Sequence, residues 1–220
     1  MKPSPPPVRR RLWSGGSNSG FSLNPVLAII IVNLVLYLAT AFSGEGLYQL
    51  GPDMQIYADR FSYYLGLIPH YFTSRPWTIL TSMFIHGGFG HLFGNMLTLY
   101  FFGNFLARMV GNTKFLLVYF IGGIAGNALY LLLGQPFSLL IGASGAVYAI
   151  AGALVVMFPK LPVRLYFIIP VPLWILVLIF FVAWSFIPGV AWQAHMGGMA
   201  VGLIAGFFFR RKMVPLVYYR

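Results

Sequence analysis

The chain has no cysteine, and only three of its 220 residues are acidic: Glu45, Asp53 and Asp59. The first absence excludes disulfides, thiolate metal sites and a cysteine nucleophile. The second is more restrictive, because no carboxylate follows Asp59. An aspartyl hydrolase working inside the later apolar stretches lacks its acids. A zinc hydrolase lacks both H-E-x-x-H and a carboxylate base, and a proton-coupled transporter lacks the embedded acid such proteins normally use. A Ser-His-Asp triad would need one of three loop acids to reach a buried imidazole. Charge of either sign is scarce. Charged residues make up 8% of the chain and hydrophobic residues 59%, whereas a soluble domain carries about 25% charged residues. This composition belongs in a membrane.

What charge there is has a pattern. Basic residues fall at Lys2 with Arg9–Arg11, at Arg108 and Lys114, at Lys160 and Arg164, and at Arg210–Lys212 with Arg220, while the three acids share one loop with Arg60 and Arg75. This is the positive-inside distribution. The net charge of +11 is therefore topological, suits anionic lipid and argues against nucleic acid as a partner. Six apolar stretches, about 25–42, 89–108, 114–134, 144–159, 166–187 and 193–210, predict an all-α polytopic membrane protein with both termini in the cytoplasm. A domain is expected over 24–213. Residues 1–23, rich in Pro, Ser, Gly and Arg, read as a disordered cytoplasmic tail, and 214–220 as a second tail. Arg9–Arg11, the first apolar run and Ala39-Thr40-Ala41 resemble a signal peptide, but the run is long and the small-residue site late, so a retained span is expected. The aromatic-studded loop 43–88 suits an interfacial segment at the outer surface or an ordinary outer loop.

Polar residues inside the spans are few, and their depths coincide. Ser144 precedes Lys160 by 160 − 144 = 16 positions and His195 precedes Arg210 by 210 − 195 = 15. At about 1.5 Å per residue both lie roughly 22–24 Å from the same basic face, beneath the opposite surface of a core about 30 Å thick. Polar groups at such depth point to function. Ser144, in Gly142-Ala143-Ser144-Gly145, opens the fourth span, where unpaired helix N–H groups form an oxyanion binder; a Ser there is also a common N-cap. His195 shares a helix face with Ala194, Gly198 and Gly202 and points into the bundle, as a general base or as a buried structural His. Tyr148, four residues after Ser144, is placed to pack on the imidazole, or serves as core. His91 and Asn95 stand at i,i+4 on the second span at similar depth, as oxyanion donors or, for Asn95, in an interhelical hydrogen bond. His86 reads as a structural hydrogen-bonding residue, His70 as surface and Asn104 as packing.

Taken together, Gly142-Ala143-Ser144-Gly145 with Tyr148, Ala194-His195 with Gly198 and Gly202, and His91 with Asn95 after His86-Gly87-Gly88 resemble the rhomboid family of intramembrane serine proteases over about residues 75–208. The resemblance implies a six-helix bundle with a water-filled cavity open to the outside. It makes Ser144 the nucleophile and His195 its base, and assigns the oxyanion hole to His91, Asn95 and the Ser144 N–H. Tyr148 would support His195 and Gly142 shape the turn before the nucleophile. Substrates would be single-span membrane proteins, with no cofactor or metal. Two positions depart from the family pattern: Thr78 follows Trp77 where many relatives have Arg, and Ala107 follows Leu106 where many have Glu.

The expected activity is hydrolysis of a peptide bond in or near a transmembrane segment by a Ser-His dyad, in a prokaryotic cell membrane, with the site opening outward. The alternative is a membrane chaperone or client-binding protein of the same fold that binds unstable helices without cutting them. A transporter is disfavoured by the missing acids and the lack of an inverted repeat. The sequence does not specify oligomeric state, since Gly198 and Gly202 serve internal packing equally well.

Overall fold

The structure, a computed structural model, describes residues 24–51, 54–165 and 168–211; the tails expected at 1–23 and 214–220 lie outside the described residues. Helix α1 (Pro25–Phe42) starts where the Asn24 side chain accepts from the Val26 N–H at 2.9 Å with Pro25 at the first helical position, a favoured cap followed by a favoured first residue. The loop after it is folded. Strands β1 (Glu45–Gly51) and β2 (Met54–Asp59) pair antiparallel. Asp59 then caps α2 (Arg60–Leu65), accepting from the Ser62 N–H at 2.9 Å. A short α3 (Thr78–Thr81) follows.

Arg75 ties this loop together. Its guanidinium lies over the rings of Tyr63, Tyr64 and Tyr71, 4.5, 5.0 and 5.1 Å from their centroids, and donates to the Tyr63 carbonyl at 3.0 Å. Trp77 Nε1 donates to the Tyr64 carbonyl at 3.2 Å. The loop is thus anchored although Thr78 carries no guanidinium.

Helices α4 (Phe89–Thr98) and α5 (Asn104–Val110) are joined through a π-helical turn, Leu99–Gly103. Asn104, expected only to pack, is a hydrogen-bonding residue: its Nδ2 donates to the Tyr100 carbonyl at 2.6 Å and its Oδ1 accepts from Asn24 at 2.7 Å. It links the start of α1 to α5. Gly111, at φ +87, breaks the rod, and α6 (Asn112–Leu133) begins at once.

The centre of the molecule is α6, α7 (Ser144–Met157) and α9 (Trp192–Arg211). Most of α7 is buried, as expected of a helix apolar on every side. At 14 residues it is only about 21 Å long, too short for a core of about 30 Å. Between α7 and α9 the sequence forms a second hairpin, β3 (Pro162–Leu165) with β4 (Ile169–Pro172). The fifth helical run therefore does not begin near 166 as expected. Pro170 and Pro172 lack N–H donors and disfavour α geometry in the residues before them, so helix starts only at Leu173, with α8 (Leu173–Leu176), a π-helical stretch Val177–Val182 and a 3₁₀ turn Ala183–Phe186.

Helices α7 and α9 run parallel with their backbones in contact. A methyl built on Gly198 would lie 1.9 Å from the Gly145 carbonyl oxygen, and one on Gly202 2.0 Å from that of Ala149. Both pairs are 198 − 145 = 202 − 149 = 53 residues apart, so the register is constant over a turn. Small residues permit this approach, which gives van der Waals contact along two helices without large side chains. Gly198→Ala is accordingly expected to lower stability by about 1–3 kcal/mol or more, measured by unfolding in detergent. Gly94→Ala, with open space around its Cβ, is the neutral control; equal stability of the two variants would contradict the close contact.

Candidate active site

Ser144 is the first residue of α7. Ala143 occupies the cap position and no side chain caps the helix, so the Ser144 hydroxyl is not used as an N-cap. It meets His195 instead: His195 Nε2 lies 2.9 Å from Ser144 Oγ. The α7–α9 register produces this meeting, because Ser144 and His195 sit at the same end of two helices that cannot slide past each other without steric overlap. His195 is buried and Ser144 half-buried. The Tyr148 ring stacks on the imidazole, with centroids 4.0 Å apart and planes 18° from parallel.

The turn before Ser144 is held from three sides. Gly142 adopts φ +123, and a Cβ there would stand 2.7 Å from His91 Nε2, so both backbone geometry and space require glycine. The Gly142 N–H donates to the Ser82 carbonyl at 2.8 Å. The Ala143 N–H donates to His86 Nε2 at 3.4 Å, the structural role expected of that histidine. Burial first, and neighbouring His91 second, push the His86 imidazole down to about 3; it is neutral and able to accept. Asn127 braces this arrangement, donating to the Ile79 carbonyl at 2.8 Å and to Ser82 Oγ at 3.0 Å.

His91 thus lies against the Ser144 turn. Asn95 is buried, and its Nδ2 donates to the His91 carbonyl at 2.9 Å, which leaves the second carboxamide N–H for another acceptor. His70 is exposed, its ring 4.5 Å from that of Phe137. The described acids belong to the loop: Asp59 accepts from Ser62 and Ser43, and Glu45 opens β1, paired across the hairpin with Asp59. Among the described residues no three His, Asp or Glu side chains gather closely enough to share a metal ion.

Sequence reasoning missed Ser185. Its Oγ lies 3.0 Å from His195 Nδ1. The rule that singled out Ser144, a hydroxyl inside an apolar run, applies equally to Ser185, but no spacing links it to a partner.

The constellation is a hydroxyl at a helix N-terminus, paired with one imidazole, with the ring of His91 against the turn before it. It has the parts of a nucleophilic acyl-transfer site. A family model for the Rhomboid domain matches residues 73–212. The chain is 32% identical over 211 residues to Rhomboid protein 1, mitochondrial, of Saccharomyces cerevisiae, covering 86% of this chain and 54% of that protein. It is 31% identical over 153 residues to Rhomboid-like protease 3 of Toxoplasma gondii, covering 67% of this chain and 57% of that protein. With Rhomboid protease GluP of Bacillus subtilis it shares 34% identity over 135 residues, 60% of this chain and 25% of that protein. The chain spans about half the length of the yeast and Toxoplasma relatives and 25% of the Bacillus one.

Gly142→Ala is expected to displace the His91 ring and to cost about 1–3 kcal/mol from the unfavourable backbone angle, read as a lowered melting temperature in detergent. A variant that melts like wild type with His91 in place would contradict the account of this turn.

Proposed function

Because the chain belongs to the rhomboid family, and is with it a largely helical integral membrane protein, we propose that it is an intramembrane serine endopeptidase using Ser144 and His195 as a dyad. The observation that carries this reading is the 2.9 Å hydrogen bond between Ser144 Oγ and His195 Nε2. His195 removes the hydroxyl proton as Oγ attacks the scissile carbonyl carbon. The tetrahedral oxyanion forms against the α7 N-terminus, where the Ser144 N–H has no intrahelical acceptor and the helix dipole favours negative charge, with His91 and the second Asn95 N–H as further donors. Imidazolium then protonates the leaving amine, and water hydrolyses the acyl-enzyme by the reverse proton path.

The substrates of this reading are single-span membrane proteins. Their helix must open locally to present a carbonyl, so Gly, Pro and other helix-weakening residues near the cut are expected. The proposed domain crosses the bilayer six times, through Pro25–Phe42, the rod 89–110, Asn112–Leu133, Ser144–Met157, the run 173–186 and Trp192–Arg211. Both termini lie on the cytoplasmic side and the site opens to the other. Shortness of α7 favours a sunken entrance, since a helix of about 21 Å leaves Ser144 below the surface with room for water above. The relatives carry both mitochondrial and bacterial names, so they do not favour a prokaryotic membrane over a mitochondrial one.

The test is incubation of the purified protein with a panel of single-span substrates. Wild type is expected to cleave at least one, and Ser144→Ala and His195→Ala none. Asn95→Ala should slow cleavage about 10²–10³-fold, the scale of one oxyanion donor, without unfolding. Cleavage that persists in Ser144→Ala would overturn the dyad. Stable binding of the panel without cleavage by folded wild type would instead support a client-binding protein.

A further inference from the structure

The run 173–186 reaches the dyad through Ser185. Ser185 is wholly buried at 0% exposure, in the 3₁₀ turn Ala183–Phe186. Its Oγ has three polar neighbours: His195 Nδ1 at 3.0 Å, the Phe181 carbonyl oxygen at 2.7 Å and the Tyr148 hydroxyl at 3.0 Å. The Tyr148 hydroxyl donates to the same Phe181 carbonyl at 2.6 Å.

The protons in this cluster can be assigned. A carbonyl oxygen only accepts, so the Ser185 hydroxyl 2.7 Å from it directs its single proton to that side, shared between the carbonyl and the Tyr148 hydroxyl, to which it also donates at 3.0 Å. Tyr148 commits its proton to the same carbonyl for the same reason. Ser185 Oγ is left with lone pairs toward His195, so Nδ1 is the donor of that bond. A neutral imidazole carries one N–H. With the proton on Nδ1, Nε2 is bare and faces the Ser144 hydroxyl as an acceptor.

On the proposed dyad reading, we infer that Ser185 is a positioning residue that holds His195 in its Nδ1–H tautomer, the task a carboxylate performs in a Ser-His-Asp triad. It acts through His195 and touches no substrate. The chain that begins at Nδ1–H ends on the Phe181 carbonyl, so the dipole of a peptide group stands where a triad has a full negative charge. This suits a membrane site, because a neutral hydroxyl is far cheaper to bury than an unpaired carboxylate. The contact also accounts for a hydroxyl in the apolar stretch Phe180–Phe186 that the dyad and oxyanion donors leave unassigned.

The test reads the tautomer and the rate separately. In protein labelled with ¹⁵N histidine, wild type is expected to show His195 with Nδ1 protonated and Nε2 bare, and Ser185→Ala a mixture of the two tautomers. On a cleaved substrate, Ser185→Ala should lower kcat roughly tenfold, the scale of one neutral hydrogen bond, with KM unchanged, and Ser185→Thr, which keeps the hydroxyl, should recover the tautomer and most of the rate. A wild-type His195 protonated on Nε2 would overturn the inference. So would Ser185→Ala with unaltered tautomer, whatever its rate. Should Ser185→Ala fail to fold, the wild-type tautomer and the Thr variant decide alone. Failure of the hydrolase reading is seen differently, as wild-type Ser144 unreactive toward an alkyl fluorophosphonate while the tautomer measurement stands.

Discussion

Backbone contact between α7 and α9 is the constraint on which the site depends. The carbonyls of Gly145 and Ala149 face glycines 198 and 202 with no room for a methyl. Helices pressed this closely have a single register, and that register sets Ser144 against His195. In water such a contact would add little to burial. In lipid, where apolar side chains gain nothing by leaving solvent, close packing of small residues is a principal way to hold helices together. The same device that stabilises the bundle therefore sets the 2.9 Å separation of hydroxyl and imidazole, and a mutation in the packing face alters both.

Among the described residues, no carboxylate stands in the polar cluster around the imidazole. Tyr148 stacks on one face, Ser185 takes Nδ1, and the Phe181 carbonyl collects the hydroxyl protons of both. Each polar atom of the chain Ser144–His195–Ser185–Phe181 has a partner, the condition under which a buried network orders a site rather than weakening it. The arrangement has a chemical consequence. A peptide dipole compensates an imidazolium less than a carboxylate does, so the proposed hydrolysis would gain less transition-state stabilisation than a Ser-His-Asp triad gives. It also has a mechanical one. Ser185 and Phe181 both come from the run 173–186, whose π and 3₁₀ turns depart from regular helix, so the order of the base depends on where that run sits.

Much of the candidate site is legible in the sequence. Ser144 and His195 stood out because hydroxyl and imidazole are costly in an apolar span, and counting residues to the nearest basic group placed them at one depth. The Gly198 and Gly202 face told which way His195 points. Helical periodicity put Tyr148 on the Ser144 face but left open whether its ring packs on the imidazole or only fills the core; the ring stacks on His195. Other features were not legible, for separate reasons. Ser185 is tied to His195 across a turn and a helix start, with no periodicity to reveal it. Asn104 looked like packing because its partners, Asn24 and the Tyr100 carbonyl, become neighbours only after α1 docks and the rod takes a π turn. Strand β4 was hidden beneath the apolar run, although Pro170 and Pro172 carried the signal that helix could not run through the residues before them. Arg75 was read as loop charge, while its three tyrosine partners are brought around it only by the hairpin and α2.

The central claim is that Ser144 Oγ is made nucleophilic by His195 Nε2 beside an oxyanion site at the start of α7. Its most direct measurement is an experimental structure of the protein after reaction with an alkyl fluorophosphonate. The account predicts a phosphonyl bond on Ser144 Oγ, with the phosphoryl oxygen against the Ser144 N–H and within reach of Asn95. An adduct on any other residue, or a phosphoryl oxygen turned away from the α7 N-terminus, would contradict it.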